Sequence, residues 1–150
     1  MTGKGKETLN AIMRALQLEK ETFEFYTMAE QKAIHPEGKR IFNWLAKTEQ
    51  EHYLRLKELY SSLHEGGGWV SYSGTSLCLE PEGADFAGFQ ADDREALEIA
   101  MGIERKGIDF FDELATSIHD PDGKRMLETL RDEEKEHLRL IEAKSRAIAR

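Results

Sequence analysis

The sequence LAKTEQEH at residues 45–52 returns 85 positions later as LRDEEKEH at residues 130–137. Each copy ends in Glu-x-x-His, and each half of the chain carries one further glutamate 30 residues before that motif. The repeated pattern holds four carboxylates and two imidazoles: Glu19, Glu49, His52, Glu104, Glu134 and His137. Because the intervals are identical, we expect a fold made of two similar halves.

Apolar residues recur at helical spacing in four segments of the chain, which predicts four amphipathic helices. In the second segment, Leu45 and Leu56 lie on one helical seam, and Glu49 and His52 occupy the positions between them. The other residues of the repeated pattern interrupt their apolar stripes in the same way. All six side chains should therefore point into the protein core.

A long segment of different composition separates the two halves. It contains Gly66-Gly67-Gly68, two further turn signals at Pro81 and Gly83, and scattered aromatic residues. We assign a helix pair to residues 5–63, a crossover linker to 64–91 and a second helix pair to 92–150, within one domain. An extended linker of this length can span a helix of about 37 Å. The prediction is an all-α, four-helix bundle of two repeated helix pairs joined by a long crossover.

Charge and composition limit the classes of partner. The formal net charge is −8, with 29 acidic residues against 21 basic ones, which argues against nucleic acid or an anionic membrane as the partner. The polar residues 1–10 and the lack of an apolar run of about 18 residues predict a cytoplasmic protein without a membrane span. Cys78 is the only cysteine, so an intrachain disulfide is excluded.

Four buried carboxylates near one another must be neutralised, because each loses hydration and repels the others. The apolar seams carry no cationic side chain at the same height that could pair with all four. Two metal ions would neutralise them, and carboxylates with imidazoles suit iron or manganese better than calcium or structural zinc. In the usual geometry of such sites, Glu49 and Glu134 bridge the ions, Glu19 and Glu104 bind at the ends, and each histidine binds one ion.

Tyr26 follows Glu19 by seven residues and so shares its helical face. Its hydroxyl group could donate a hydrogen bond to a ligand carboxylate or lie near the oxidising chemistry, although packing alone also accounts for a tyrosine there. The corresponding residue of the second half is Phe111, which has no hydroxyl group. The two halves of the site are therefore expected to differ.

The stretches LEKETFEFY, LAKTEQEH, IERKGIDFF and LRDEEKEH resemble the rubrerythrin family of the ferritin-like superfamily. The resemblance covers both helix pairs and implies a ferritin-like bundle with a non-haem di-iron centre that reduces hydrogen peroxide, or less readily dioxygen. It implies the six residues of the repeat as iron ligands. Within such a site, it makes Glu49, Glu134 and Tyr26 the candidate catalytic residues.

The chain departs from the rubrerythrin pattern at two points. Typical members add a rubredoxin domain whose iron is held by four cysteines, whereas this sequence has one cysteine, so a separate donor such as a rubredoxin would have to supply electrons. Typical members also carry an extra glutamate one turn after the third-helix ligand, where this chain has Gly107. Its first-half equivalent is Thr22.

Three functions are compatible with the sequence. The leading one is a peroxide-reducing di-iron enzyme of oxidative-stress defence, and the second is an iron-binding protein or ferroxidase for iron handling or storage. The third is a structural or sensory metal module. A homodimer is expected, and the crossover could also carry one helix pair into a neighbouring copy.

Overall fold

The computed structural model describes residues 3–34, 36–70, 72, 74 and 91–148, with the backbone alone at 3, 4, 91–93, 147 and 148. It contains four helices: α1 (Gly3–Lys32), α2 (Pro36–His64), α3 (Ala91–Ser117) and α4 (Pro121–Ile148). The described part of the chain has no strand, and the pairs α1–α2 and α3–α4 pack together. The predicted all-α four-helix bundle is thus confirmed. None of the described helices has the length and apolarity needed to cross a bilayer.

Prolines set the start of the second helix in each pair. Pro121 opens α4, and the Asp120 Oδ1 atom accepts hydrogen bonds from the backbone N–H groups of Asp122 at 2.9 Å and Gly123 at 3.1 Å. This is a helix N-cap followed by a first-turn proline. Pro36 is likewise the first residue of α2. The two turns within the helix pairs therefore end before Pro36 and Pro121, because each proline already belongs to its helix.

The buried side chains form two apolar clusters at opposite ends of the bundle. The first apolar cluster includes Ile12, Leu56, Leu59, Phe111, Leu127 and Leu130. The second apolar cluster includes Tyr26, Phe42, Leu45, Leu97, Ala100 and Ile141. Every helix contributes to both clusters and carries its members of the repeated Glu/His pattern between the two. The polar residues thus occupy a layer enclosed by apolar packing on both sides.

The order of the clusters along each helix gives the topology. Helices α1 and α4 run from the first cluster to the second, whereas α2 and α3 run from the second to the first. Each sequential pair is therefore antiparallel, and α2 and α3 are parallel. A parallel connection needs the chain to return along the length of the bundle, which explains why the second and third helices are joined by a long crossover.

The first residues of the crossover lie against α4. The Ser62 hydroxyl group donates to the Gly68 carbonyl oxygen at 2.7 Å, and the Trp69 ring packs against the first apolar cluster near Gly123. Tyr72 is buried in the same cluster. Trp69 and Tyr72 of the crossover thus cover part of the first apolar cluster. Phe86, Phe89 and Cys78 lie outside the described residues.

At Gly123 the packing leaves no room for a side chain. A Cβ atom there would lie 2.6 Å from Trp69 Cε2 and 2.9 Å from Ile118 Cγ2. We expect Gly123→Ala to lower the free energy of unfolding by about 1–3 kcal/mol, because the indole ring must move. Urea denaturation followed by tryptophan fluorescence measures this change.

Gly102 supplies the matched control in α3. It is exposed, and a Cβ atom there would meet nothing within 4 Å. Gly102→Ala should raise the free energy of unfolding by about 0.5–1 kcal/mol through helix propensity alone. Equal effects of the two substitutions would contradict the packing of Trp69 on Gly123.

Candidate metal centre

All six residues of the repeated pattern are buried in the polar layer. Their exposed fractions are 3% or less, and Glu49, His52 and Glu104 are fully buried. Glu19 comes from α1, Glu104 from α3, and each of α2 and α4 supplies one Glu-x-x-His pair. Since the members of each pair are three residues apart, they lie on one face of their helix.

The ligand-type atoms fall into two overlapping groups, and within each group they lie within 4.8 Å of one another. The first group is Glu19, Glu49, His52 and Glu134. The second group is Glu49, Glu104, Glu134 and His137. The carboxylates of Glu49 and Glu134 belong to both groups, which is the arrangement expected of residues that bridge two ions.

The two imidazoles are related by a local twofold symmetry. The Nδ1 atom of His52 lies 3.1 Å from Glu134 Oε1, and that of His137 lies 3.0 Å from Glu49 Oε1. The two rings are nearly parallel, with centroids 6.1 Å apart. The histidine of α2 thus points toward Glu134 of α4, and the histidine of α4 points toward Glu49 of α2. Both Nδ1 atoms face the carboxylates.

The four carboxyl groups are of two kinds, which differ in the direction of their pKa shifts. Burial, followed by repulsion from Glu134, raises the pKa of Glu104 to about 8. Burial, with the charges of Glu49 and Glu134, raises the pKa of Glu19 well above its usual value. At neutral pH and without metal, Glu19 and Glu104 therefore hold protons.

The central carboxylates behave in the opposite way. Burial opposes the ionisation of Glu49, but contacts with Glu19, His137 and His52 lower its pKa to about 2. Burial also opposes the charged form of Glu134, and contacts with Glu104 and both histidines lower its pKa. The surrounding carboxylates raise the pKa values of both imidazoles well above the usual range, although burial acts against this. Protons therefore neutralise the centre when no metal does so.

Tyr26 lies at the edge of this cluster. Its hydroxyl group donates a hydrogen bond to Glu104 Oε1 at 2.6 Å, and the side chain is fully buried. Burial, together with the nearby charge of Glu104, raises the pKa of Tyr26 well above its usual value, so the phenol keeps its proton. The tyrosine of α1 thus contacts the glutamate of the other helix pair. Glu19 has no equivalent partner, because Phe111 stands in that position.

Three carboxylate oxygen atoms indicate whether these six side chains fit a metal ion. Glu19 Oε2, Glu49 Oε2 and Glu104 Oε2 are buried without a hydrogen-bond partner in the described part of the chain. Buried polar atoms without partners are costly and are rare in proteins. Carboxylate oxygens facing two imidazole nitrogens are a ligand set for iron or manganese, so the residues fit a pair of such ions.

Two further residues, Glu133 and Tyr72, contact the centre. By sequence, the run Asp132-Glu133 is most simply a solvated face, with a role in holding the imidazoles as the alternative. In the structure, Glu133 accepts hydrogen bonds from His52 Nε2 and from the Tyr72 hydroxyl group. The signal for Glu133 was its place directly before the Glu134-x-x-His motif. Tyr72 had no signal beyond its aromatic ring, because the crossover has no helical period.

Comparison with known proteins assigns the family. The family model described as Rubrerythrin matches residues 10–144 of this chain. The chain belongs to the rubrerythrin family. A solved structure, the hypothetical protein Pfu-1136390-001 from Pyrococcus furiosus, is similar to it in fold, with a TM-score of 0.73 and 23% sequence identity. That similarity covers 95% of this chain and 90% of the other. No curated protein matches the chain.

Gly107 marks where this rubrerythrin family member departs from the expected pattern. It is buried one turn after Glu104, and a Cβ atom there would lie 3.8 Å from Glu134 Cγ. The position thus faces the centre, but it contributes no carboxylate. The first-half equivalent, Thr22, is also buried and donates its hydroxyl hydrogen bond to the Leu18 carbonyl oxygen at 2.8 Å.

Proposed function

We propose that this chain is a non-haem di-iron oxidoreductase that reduces hydrogen peroxide to water with electrons from an external donor. The observation that carries the proposal is the pair of overlapping ligand groups that share Glu49 and Glu134, enclosed between two apolar clusters. Membership of the rubrerythrin family supports iron as the metal. Manganese, which accepts the same ligand types, is the alternative.

The proposed ligand roles follow from the two groups. Glu49 and Glu134 would be shared by the two ions, because each belongs to both groups. Glu19 and His52 complete one position, which we call the His52 position. Glu104 completes the other together with His137, and we call this the His137 position.

Reduction of hydrogen peroxide to two water molecules consumes two electrons and two protons. An iron pair held by these residues would supply the two electrons. The chain itself keeps bulk water out through the apolar clusters and keeps a proton on the Tyr26 hydroxyl group, 2.6 Å from Glu104 Oε1. Tyr26 is therefore the proposed residue that steadies Glu104 and holds a proton beside the reacting atoms.

The proposal includes the cellular setting that the sequence suggests. A separate iron–sulfur protein, such as a rubredoxin, would return the two electrons, because the single cysteine of this sequence cannot hold such a centre. We propose a role in oxidative-stress defence for a cytoplasmic homodimer. Iron oxidation for handling or storage is the competing function, and the same donor set serves it.

Anaerobic loading with Fe(II), followed by one equivalent of hydrogen peroxide, tests the proposal. Near-ultraviolet absorbance should show rapid oxidation of two irons per peroxide, much faster than with air, and a reductant should restore the ferrous protein. Faster oxidation by air, or uptake of many more than two irons per chain, would instead assign iron handling. Two bound ions that never change redox state would indicate a structural or sensory site.

Tyr26→Phe tests the role of the tyrosine. It removes one hydroxyl group from a fully buried ring, and the Phe111 position shows that phenylalanine fits the equivalent packing. We expect two irons to bind, with peroxide-driven oxidation slowed roughly tenfold or more, because a positioned proton donor contributes at least that much. Stopped-flow absorbance measures the rate, with Tyr60→Phe as control. An unchanged rate would leave Tyr26 a packing residue.

A further inference from the structure

The crossover reaches the centre through a chain of two hydrogen bonds. The Tyr72 hydroxyl group donates to Glu133 Oε1 at 2.5 Å, and the Oε2 atom of the same carboxylate lies 3.1 Å from His52 Nε2. The edge of the Tyr72 ring also contacts the His52 ring, with centroids 6.1 Å apart at 86°. Tyr72 is 7% exposed, so this contact is part of the packed interior.

These contacts fix the orientation of His52. The Nε2 atom donates its proton to Glu133, so that when Nδ1 loses its own proton, as it must to bind metal, the Nδ1 lone pair is directed at Glu134, Glu19 and Glu49. A carboxylate that accepts the distal N–H group of a histidine holds its tautomer and makes the other nitrogen a better ligand. Gly74, with a φ angle of +117°, lies next to Glu133 and leaves the carboxylate room, since a Cβ atom there would be 3.4 Å from Glu133 Oε1.

The other half of the site lacks this support. The residue equivalent to Glu133 is Thr48, whose hydroxyl group donates to the Leu45 carbonyl oxygen at 2.8 Å. In the described part of the chain, His137 has an edge contact with the Trp44 ring, at 5.4 Å between centroids, and no distal carboxylate on its Nε2 atom. Glu104 Oε1 also accepts the Tyr26 hydrogen bond, whereas Oε2 lacks a partner in both Glu104 and Glu19. The distal carboxylate on His52 is therefore the difference that favours metal at the His52 position.

We infer that Tyr72 is a positioning residue that holds His52 through Glu133, so that the two metal positions are unequal and the His52 position binds the first ion. The inference rests on the proposed metal centre. It assigns the crossover a part in the site, because the contacts of Tyr72 and Gly74 with Glu133 decide whether that carboxylate faces His52.

Stepwise titration of the metal-free protein with Co(II) under anaerobic conditions tests this inference. Visible absorbance should resolve two binding steps, and His137→Ala should keep the tighter step whereas His52→Ala should lose it. Glu133→Gln should weaken the first step roughly 10–100-fold and leave the second unchanged. Tyr72→Phe should weaken the same step by roughly threefold to tenfold, since it removes one hydrogen bond to the positioning carboxylate.

Two control variants separate positioning from general stability. Tyr60→Phe removes a hydroxyl group from another tyrosine packed on the first apolar cluster, and Glu136→Gln alters an exposed carboxylate of α4. Both should bind Co(II) as the unsubstituted chain does. Two equal steps in the unsubstituted chain, or an unchanged first step in both Tyr72→Phe and Glu133→Gln, would overturn the inference while leaving the proposed centre intact. Absence of any Co(II) binding by the unsubstituted chain would overturn both.

Discussion

Glu49→Gln is expected to bind at most one metal ion per chain under conditions in which the unsubstituted protein binds two. Glu49 is fully buried and belongs to both ligand groups, so its loss removes a ligand from each position at once. Its Oε1 atom lies 3.0 Å from His137 Nδ1, and its Oε2 atom is among the buried oxygens without a partner. The amide keeps the shape of the side chain but has one oxygen and no charge.

The expected loss of affinity exceeds roughly 100-fold, because residues that merely support a metal ligand already contribute 10–100-fold. Metal analysis after dialysis against a weak chelator gives the stoichiometry, and calorimetry gives the affinity. Glu58→Gln is the matched control on the same helix, since the Glu58 side chain is 56% exposed and pairs with Arg55 at 3.0 Å. Two tightly held ions in Glu49→Gln would rule out Glu49 as a bridging ligand.

The bundle could be predicted because the same sequence pattern occurs in both halves of the chain. Identical intervals in two halves, each with polar residues on an apolar stripe, are difficult to satisfy in any structure other than a pair of similar helix hairpins around a shared polar layer. The structure accordingly buries Glu19 and Glu104 at equivalent heights of α1 and α3. Helix ends differed from the assigned ranges by one or two residues, as expected where a cap and not a periodic pattern decides the boundary.

Glu133 shows what the periodic pattern could not predict. Glu133 precedes Glu134 on α4 and lies off the centre of the apolar stripe. Most carboxylates at such positions of an amphipathic helix are exposed to solvent. Glu133 is sheltered because Trp69, Tyr72 and Gly74 of the crossover lie against that side of α4. No periodic pattern states where an irregular segment will pack. The asymmetry between His52 and His137 therefore became visible only in the structure.

Binding of two divalent ions at neutral pH is expected to release up to four protons per chain. Without metal, Glu19 and Glu104 are protonated because burial and neighbouring carboxylates raise their pKa values, in the case of Glu104 to about 8. His52 and His137 are also protonated, since the carboxylates around them raise their pKa values well above the usual range. All four groups must lose a proton to act as ligands.

The sign of the pH dependence follows from these raised pKa values. Each proton that metal displaces makes the overall binding constant rise tenfold per pH unit, as long as the pH lies below the pKa of that group. From pH 6 to pH 7, the constant for loading both ions should therefore rise about tenfold through Glu104 alone, and further through each other group that keeps its proton over that range. Above about pH 8 the contribution of Glu104 ends, because it is then ionised before metal binds.

Calorimetric titration in buffers of different ionisation enthalpy counts the released protons directly. Glu104→Gln should release one proton fewer at pH 7, because the amide carries no acidic proton and the other three groups are unchanged. Glu113→Gln on the same helix, an exposed site, should release as many protons as the unsubstituted chain. Metal uptake without proton release would mean that both histidines are already neutral and all four carboxylates already ionised in the metal-free protein. Their charge would then need a source of neutralisation other than the protons that burial and repulsion retain here.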